Sequence, residues 1–100
     1  MAGKLGRPAR PRPTPRGIAG RKVMLYLDPI VQRFVPLDRM NDCIARHRGG
    51  QKHPVTWDGQ CEPVFRTTCR YDGFEFWVVE FPKQRKLFLG PPEFFRDHLR

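Results

Sequence analysis

Residues 64–81 read VFRTTCRYDGFEFWVVEF, two runs rich in β-branched and aromatic residues on either side of Asp72-Gly73. That dipeptide suits a two-residue type I′ hairpin turn, because both central positions take positive φ. Pairing Tyr71 with Phe74 sets Arg70 opposite Glu75, a favourable cross-strand charge pair, and aligns Cys69 with Phe76 and Thr67 with Val78. One face of the hairpin is then Phe65, Thr67, Cys69, Tyr71, Phe74, Phe76 and Val78, ending at Glu80. The other carries Val64, Arg66, Thr68, Arg70, Glu75, Trp77, Val79 and Phe81.

Beyond the hairpin, Pro82-Lys83-Gln84-Arg85 reads as a basic turn, and Lys86 to Leu89 returns as a third antiparallel strand before Gly90-Pro91-Pro92 ends it. Glu93 to Arg100 suits a short closing helix, with Glu93 early and Arg96, His98 and Arg100 late, as the helix dipole prefers. On the N-terminal side, Val23 to Leu27 is a continuous apolar run of strand length. Asp28-Pro29 follows as an N-cap with proline at the first helical position. Apolar residues Ile30, Val31, Phe34, Leu37, Met40 and Ile44 keep helical spacing up to Gly49-Gly50. Pro36 interrupts that run, so two helices are expected, about 29–35 and 38–48, with Asp38 capping the second and a loop from Gln51 to Pro54. The expected architecture is α+β: a three- or four-stranded antiparallel meander packed on one or two helices over residues 23–100. A disordered, basic, Arg/Pro-rich tail precedes it over residues 1–22.

Charge separates those two parts. Residues 1–22 hold Lys4, Arg7, Arg10, Arg12, Arg16, Arg21 and Lys22 and no acidic group, so seven of the 19 Lys and Arg residues, and most of the formal net charge of +9, sit there. With four prolines and four glycines within residues 1–20, this segment is expected to be extended and unable to pack a core. A one-signed block repels itself unless a polyanion neutralises it. Three cysteines, Cys43, Cys61 and Cys69, are an odd and sparse set, from which reduced thiols in an intracellular compartment (cytoplasm or organellar matrix) are expected rather than secretion. No apolar run approaches the roughly 20 residues of a membrane span. A targeting role for the Arg-rich start stays open, although its prolines oppose an amphipathic transit helix and it lacks serine.

The arm itself carries one short motif. KLGRPAR, residues 4–10, resembles the AT-hook, whose Gly-Arg-Pro core lies in the minor groove of A·T-rich DNA; Gly6, Arg7 and Pro8 match, while Leu5 replaces the arginine on the other side of the glycine. More broadly the arm resembles tails of ribosomal and other ribonucleoprotein components, with guanidinium forks suited to phosphate. Along RKVMLYLDPIVQRF the order of basic residues, apolar strand and Asp-Pro into a helix resembles the start of ribbon-helix-helix repressors. The strand lacks the polar side chains that such proteins use to read bases, and Pro36 falls inside the helix.

A second basic set lies on the hairpin and its turn: Arg66 and Arg70 beside Trp77, then Lys83, Arg85 and Lys86. Cations flanking an exposed ring suit single-stranded nucleic acid, although Val64, Val79 and Phe81 around Trp77 suggest that its ring is buried and only the arginines remain outside. Cys43, His47, His53 and Cys61 make up a conceivable zinc set, but no C-x₂-C pair exists and small apolar cysteines are common in cores, so no metal or cofactor is expected. No paired carboxylates, nucleophile elbow or phosphate-cradling loop points to catalysis. The expected function is a non-enzymatic RNA-binding component of a ribonucleoprotein, with neighbouring proteins as further partners and no membrane or small-molecule substrate. The alternatives are a DNA-binding regulator using the arm in the minor groove, and a protein-binding subunit or inhibitor.

Overall fold

The computed structural model describes residues 22–99, so residues 1–21, all of the arm but Lys22, and the terminal Arg100 lie outside the described residues. Five strands form one sheet: β1 (Met24–Leu27), β2 (His53–Val55), β3 (Val64–Tyr71), β4 (Phe74–Phe81) and β5 (Lys86–Gly90). The hairpin is the expected one, with Tyr71 paired to Phe74, Arg70 to Glu75, Cys69 to Phe76 and Thr67 to Val78. Asp72 and Gly73 take φ of 51° and 80°, the double left-handed conformation of the type I′ turn.

The sheet differs from the expected antiparallel meander. Its order is β1-β5-β4-β3-β2, with β1 running parallel to β5 and the other neighbours antiparallel. The physical reason is the helical crossover. Chain leaving β1 passes through α1 (Pro29–Phe34) and α2 (Leu37–Arg48) before the hairpin begins, so β1 joins the sheet beside the last strand in the same direction. The fifth strand, β2, arises where a loop was expected, as His53 to Val55 pair with Val64 to Arg66.

Asp28 caps α1 as expected, its Oδ1 accepting the Ile30 backbone N–H at 3.2 Å. Val35 adopts extended angles before Pro36 and ends that helix. Asp38 is not the cap of α2. The helix begins at Leu37, Pro36 stands at the N-cap, and Asp38 lies in the first turn where the helix dipole favours a carboxylate. The C-terminal segment forms α3 (Pro92–Phe95) and then a 3-10 turn over Arg96–His98, shorter than the expected closing helix.

Two cores occupy the two sheet faces. Under α1 and α2 lie Val31, Val35, Met40, Cys43, Cys69, Phe76, Val78, Leu87 and Leu89. On the opposite face Val64, Trp77, Val79 and Phe81 pack with Phe95 of α3, flanked by Trp57 and Leu99. Cys43 and Cys69 are joined in a disulfide with their Cα atoms 6.4 Å apart, which corrects the expectation of reduced thiols at both positions. Residue 43 lies on the inner face of α2 and residue 69 on the inner face of β3, so the packing itself brings them within bridging distance. No helix among the described residues is long and apolar enough to cross a membrane.

Candidate nucleic-acid interface

Trp77 is buried and does not offer an open ring. Phe95 stacks on it at 6.1 Å, and the Arg66 guanidinium lies over it with its carbon 4.6 Å from the ring centroid. The indole N–H donates to Glu75 Oε2 at 2.9 Å. The hairpin arginines are therefore engaged within the fold: Arg66 on the indole, and Arg70 with Glu75 at 3.4 Å, a solvent-exposed pair of small energetic weight.

The open rings of this face lie elsewhere. Along β1, residues 24 and 26 share a face with residues 86 and 88 of β5, because parallel pairing matches Met24 to Lys86 and Tyr26 to Phe88. The Tyr26 and Phe88 rings stack in near-parallel planes at 4.6 Å, and Tyr26 is 40% exposed. Phe94, 57% exposed, closes the group from α3. Two shallow clefts meet at Phe88 and Phe94. One, about 330 Å³, also has Tyr26, Leu27, Pro29 and Leu89 in its walls. The other, about 220 Å³, runs toward Trp57, Phe81, Phe95 and His98, where the His98 ring stacks on Trp57 at 4.9 Å. The result is a strip of apolar rings, partly open to solvent, that begins at β1.

Cations gather at the entrance to β1. Met24 pairs with Lys86, and its N–H donates to the Arg85 carbonyl at 2.8 Å, so Lys22, Arg85 and Lys86 converge at one end of the strip. Lys83 and Arg85 are both exposed in the 3-10 turn Pro82–Gln84 and its cap. Arg85 holds a left-handed φ of 54°, uncommon for a residue with a side chain. Of the residues singled out from sequence, Lys22, Lys83, Arg85 and Lys86 are thus brought to one end. Arg66 and Arg70 lie on β3, separated from β1 by two strands. Lys4, Arg7, Arg10, Arg12, Arg16 and Arg21 lie outside the described residues. Compared with protein-family models, curated proteins and solved structures, the chain matches none.

The other titratable cluster serves α2. Burial of His47 places its Nδ1 2.6 Å from Thr67 Oγ1 and its Nε2 2.6 Å from Glu80 Oε1. Thr67 also reaches the Gln51 carbonyl at 2.8 Å, and Lys52 Nζ reaches Glu80 at 3.3 Å. Burial lowers the His47 pKa below its ordinary 6.5, outweighing the hydrogen bond and charge of Glu80, which raise it; Lys52 and Arg48 lower it further. In the neutral ring Nε2–H donates to Glu80, and the single Thr67 hydroxyl proton is left to choose between Nδ1 and the Gln51 carbonyl. These bonds tie the end of α2 to β3 and β4.

The zinc set is dispersed by the same packing. Cys43 is bonded to Cys69, His47 is held by Thr67 and Glu80, His53 pairs with Arg66 in β2, and Cys61 is exposed. Among the described residues no group of three or more potential ligands is arranged around a metal. Sequence inspection missed Tyr26, Phe88 and Phe94 as a set. The available signal was alternation: positions 24, 26, 86 and 88 share a face only once β1 and β5 are known to be neighbours.

Proposed function

We propose that this chain is a non-enzymatic RNA-binding protein whose basic arm follows phosphates while unpaired bases stack along the Tyr26–Phe88–Phe94 strip, within an assembly that includes other proteins. The carrying observation is the continuity of the two parts. The cation-rich segment leads directly into β1, and the first large ring of that strand is a stacked, partly exposed tyrosine. Base-on-ring stacking tolerates any sequence and needs unstacked bases, whereas a basic groove or arm tracks the backbone. Rings on an open sheet face therefore favour single-stranded RNA over duplex DNA, where bases remain stacked on one another. Among the described residues, Lys22, Lys83, Arg85 and Lys86 are the cations that stand where the arm joins β1.

Binding to a fluorescent single-stranded RNA, measured over a range of salt concentrations, tests this. Deleting residues 2–20 should leave the fold intact and flatten the log–log salt dependence by about 0.7 for each phosphate that the arm no longer neutralises. Phe94→Ala should weaken binding by about 1–3 kcal/mol without changing the salt slope. Unchanged affinity in both variants would exclude this surface and this arm as the RNA-binding elements. Preference for an A·T-rich duplex at equal salt would favour the DNA-binding alternative instead.

A further inference from the structure

The two edges of the sheet are built differently. β2 is three residues long and carries Pro54, a residue without an N–H, which is how proteins commonly blunt an edge against pairing. Among the described residues β1 has no such protection. Val23, Met24, Leu25 and Tyr26 are all exposed large apolar residues, on both faces of the strand, and neither charge, proline nor glycine interrupts Val23 to Leu27. The Met24 and Asp28 backbone N–H groups bond inward to the Arg85 and Leu89 carbonyls at 2.8 and 2.9 Å. Backbone direction alternates along a strand, so Val23, Leu25 and Leu27 direct their N–H and C=O groups toward the free edge.

We propose that this edge pairs antiparallel with β1 of a second copy of the chain, about a two-fold axis at Leu25, joining two five-stranded sheets into one. Register follows from backbone direction and side-chain chemistry. Outward-directed residues must face outward-directed residues, which permits registers centred on Met24, Leu25 or Tyr26. Centring on Leu25 sets Val23 opposite Leu27 and Met24 opposite Tyr26, so every apolar residue meets an apolar one. Lys22 then stands opposite Asp28 at both ends. The Met24-centred register puts Lys22 opposite Tyr26, and the Tyr26-centred register puts Met24 opposite Asp28. A strand with one cation before its apolar run and one anion after it is complementary to its own antiparallel copy, and closed two-fold pairing removes the exposed edge. Met24 of the second copy would lie beside Tyr26, extending the aromatic strip across the axis.

Sedimentation equilibrium of the full-length, nuclease-treated chain tests the proposal independently of RNA binding. The mass should rise with concentration from 11.8 kDa toward twice that value. Leu25→Lys brings two like charges together on the axis and should raise the dissociation constant at least tenfold. Its circular dichroism and melting should match the parent, because Leu25 is half exposed. In a Cys61→Ser background, Met24→Cys combined with Tyr26→Cys should form disulfide-linked dimers on mild oxidation. A monomer at the highest soluble concentration would overturn the proposal. A dimer indifferent to Leu25→Lys would overturn this edge as its interface, as would failure of the paired cysteines to cross-link.

Discussion

One face of the sheet lies under two helices, while the other is covered by one short helix, a 3-10 turn and a loop. Beneath α1 and α2 the core is largely aliphatic, with a disulfide and a buried polar network added to it. Across the sheet the core is largely aromatic and only partly enclosed, grading from buried Trp77 through half-exposed Tyr26 to open Phe94. The contrast separates two uses of apolar surface. Aliphatic side chains interdigitate under a helix and exclude water, whereas large flat rings cover a sheet with fewer residues and leave faces free.

Paired truncations of similar side chains test that division most strongly. Phe76→Ala, on the helix-covered face, should cost about 3–5 kcal/mol and leave little folded protein, read by urea denaturation. Phe94→Ala should change stability by less than about 1 kcal/mol, because its ring is mostly in solvent. Equal losses would show that both faces serve the fold alike.

Reduction of the Cys43–Cys69 bond comes next. These residues are 26 apart in sequence, so opening the bond should lower stability by about 2–4 kcal/mol, while RNA affinity of the remaining folded protein stays unchanged. Urea midpoints measured with and without reductant check this.

Smaller effects are expected at the polar network. Glu80→Ala strands the buried His47 ring and should cost about 1–3 kcal/mol. With the folded-state His47 pKa below its unfolded value, the unfolded chain takes up its proton first on acidification. Stability contributed by the neutral ring is therefore complete above about pH 6.5 and falls as the pH drops below it, through the lowered folded value. That decline should be absent from His47→Gln when denaturation is repeated across pH 7 to 5.

The smallest change sharpens the open side. Arg85→Gly relieves a left-handed φ and should raise stability by about 1 kcal/mol or less while weakening RNA binding, which separates the backbone cost of that residue from its charge.

Local chemistry was enough for much of this molecule. Asp72-Gly73 set the turn and through it the register and both faces of the hairpin, because the turn conformation is decided by two adjacent residues. Asp28-Pro29 and Pro36 likewise marked where α1 begins and where the helical run divides, since capping and the missing proline N–H act within a few residues. The composition of the arm was equally plain, and its expected phosphate contacts, Lys22 apart, fall on residues outside those described. What sequence alone left open was every feature made by residues far apart in the chain. Parallel docking of β1 on β5, the Cys43–Cys69 bond, the His47–Thr67–Glu80 hydrogen bonds and the Tyr26–Phe88 stack each join segments separated by 20 residues or more. Such pairings follow from how the helical crossover returns the chain across the sheet, and periodicity within a segment carries no record of its distant neighbour.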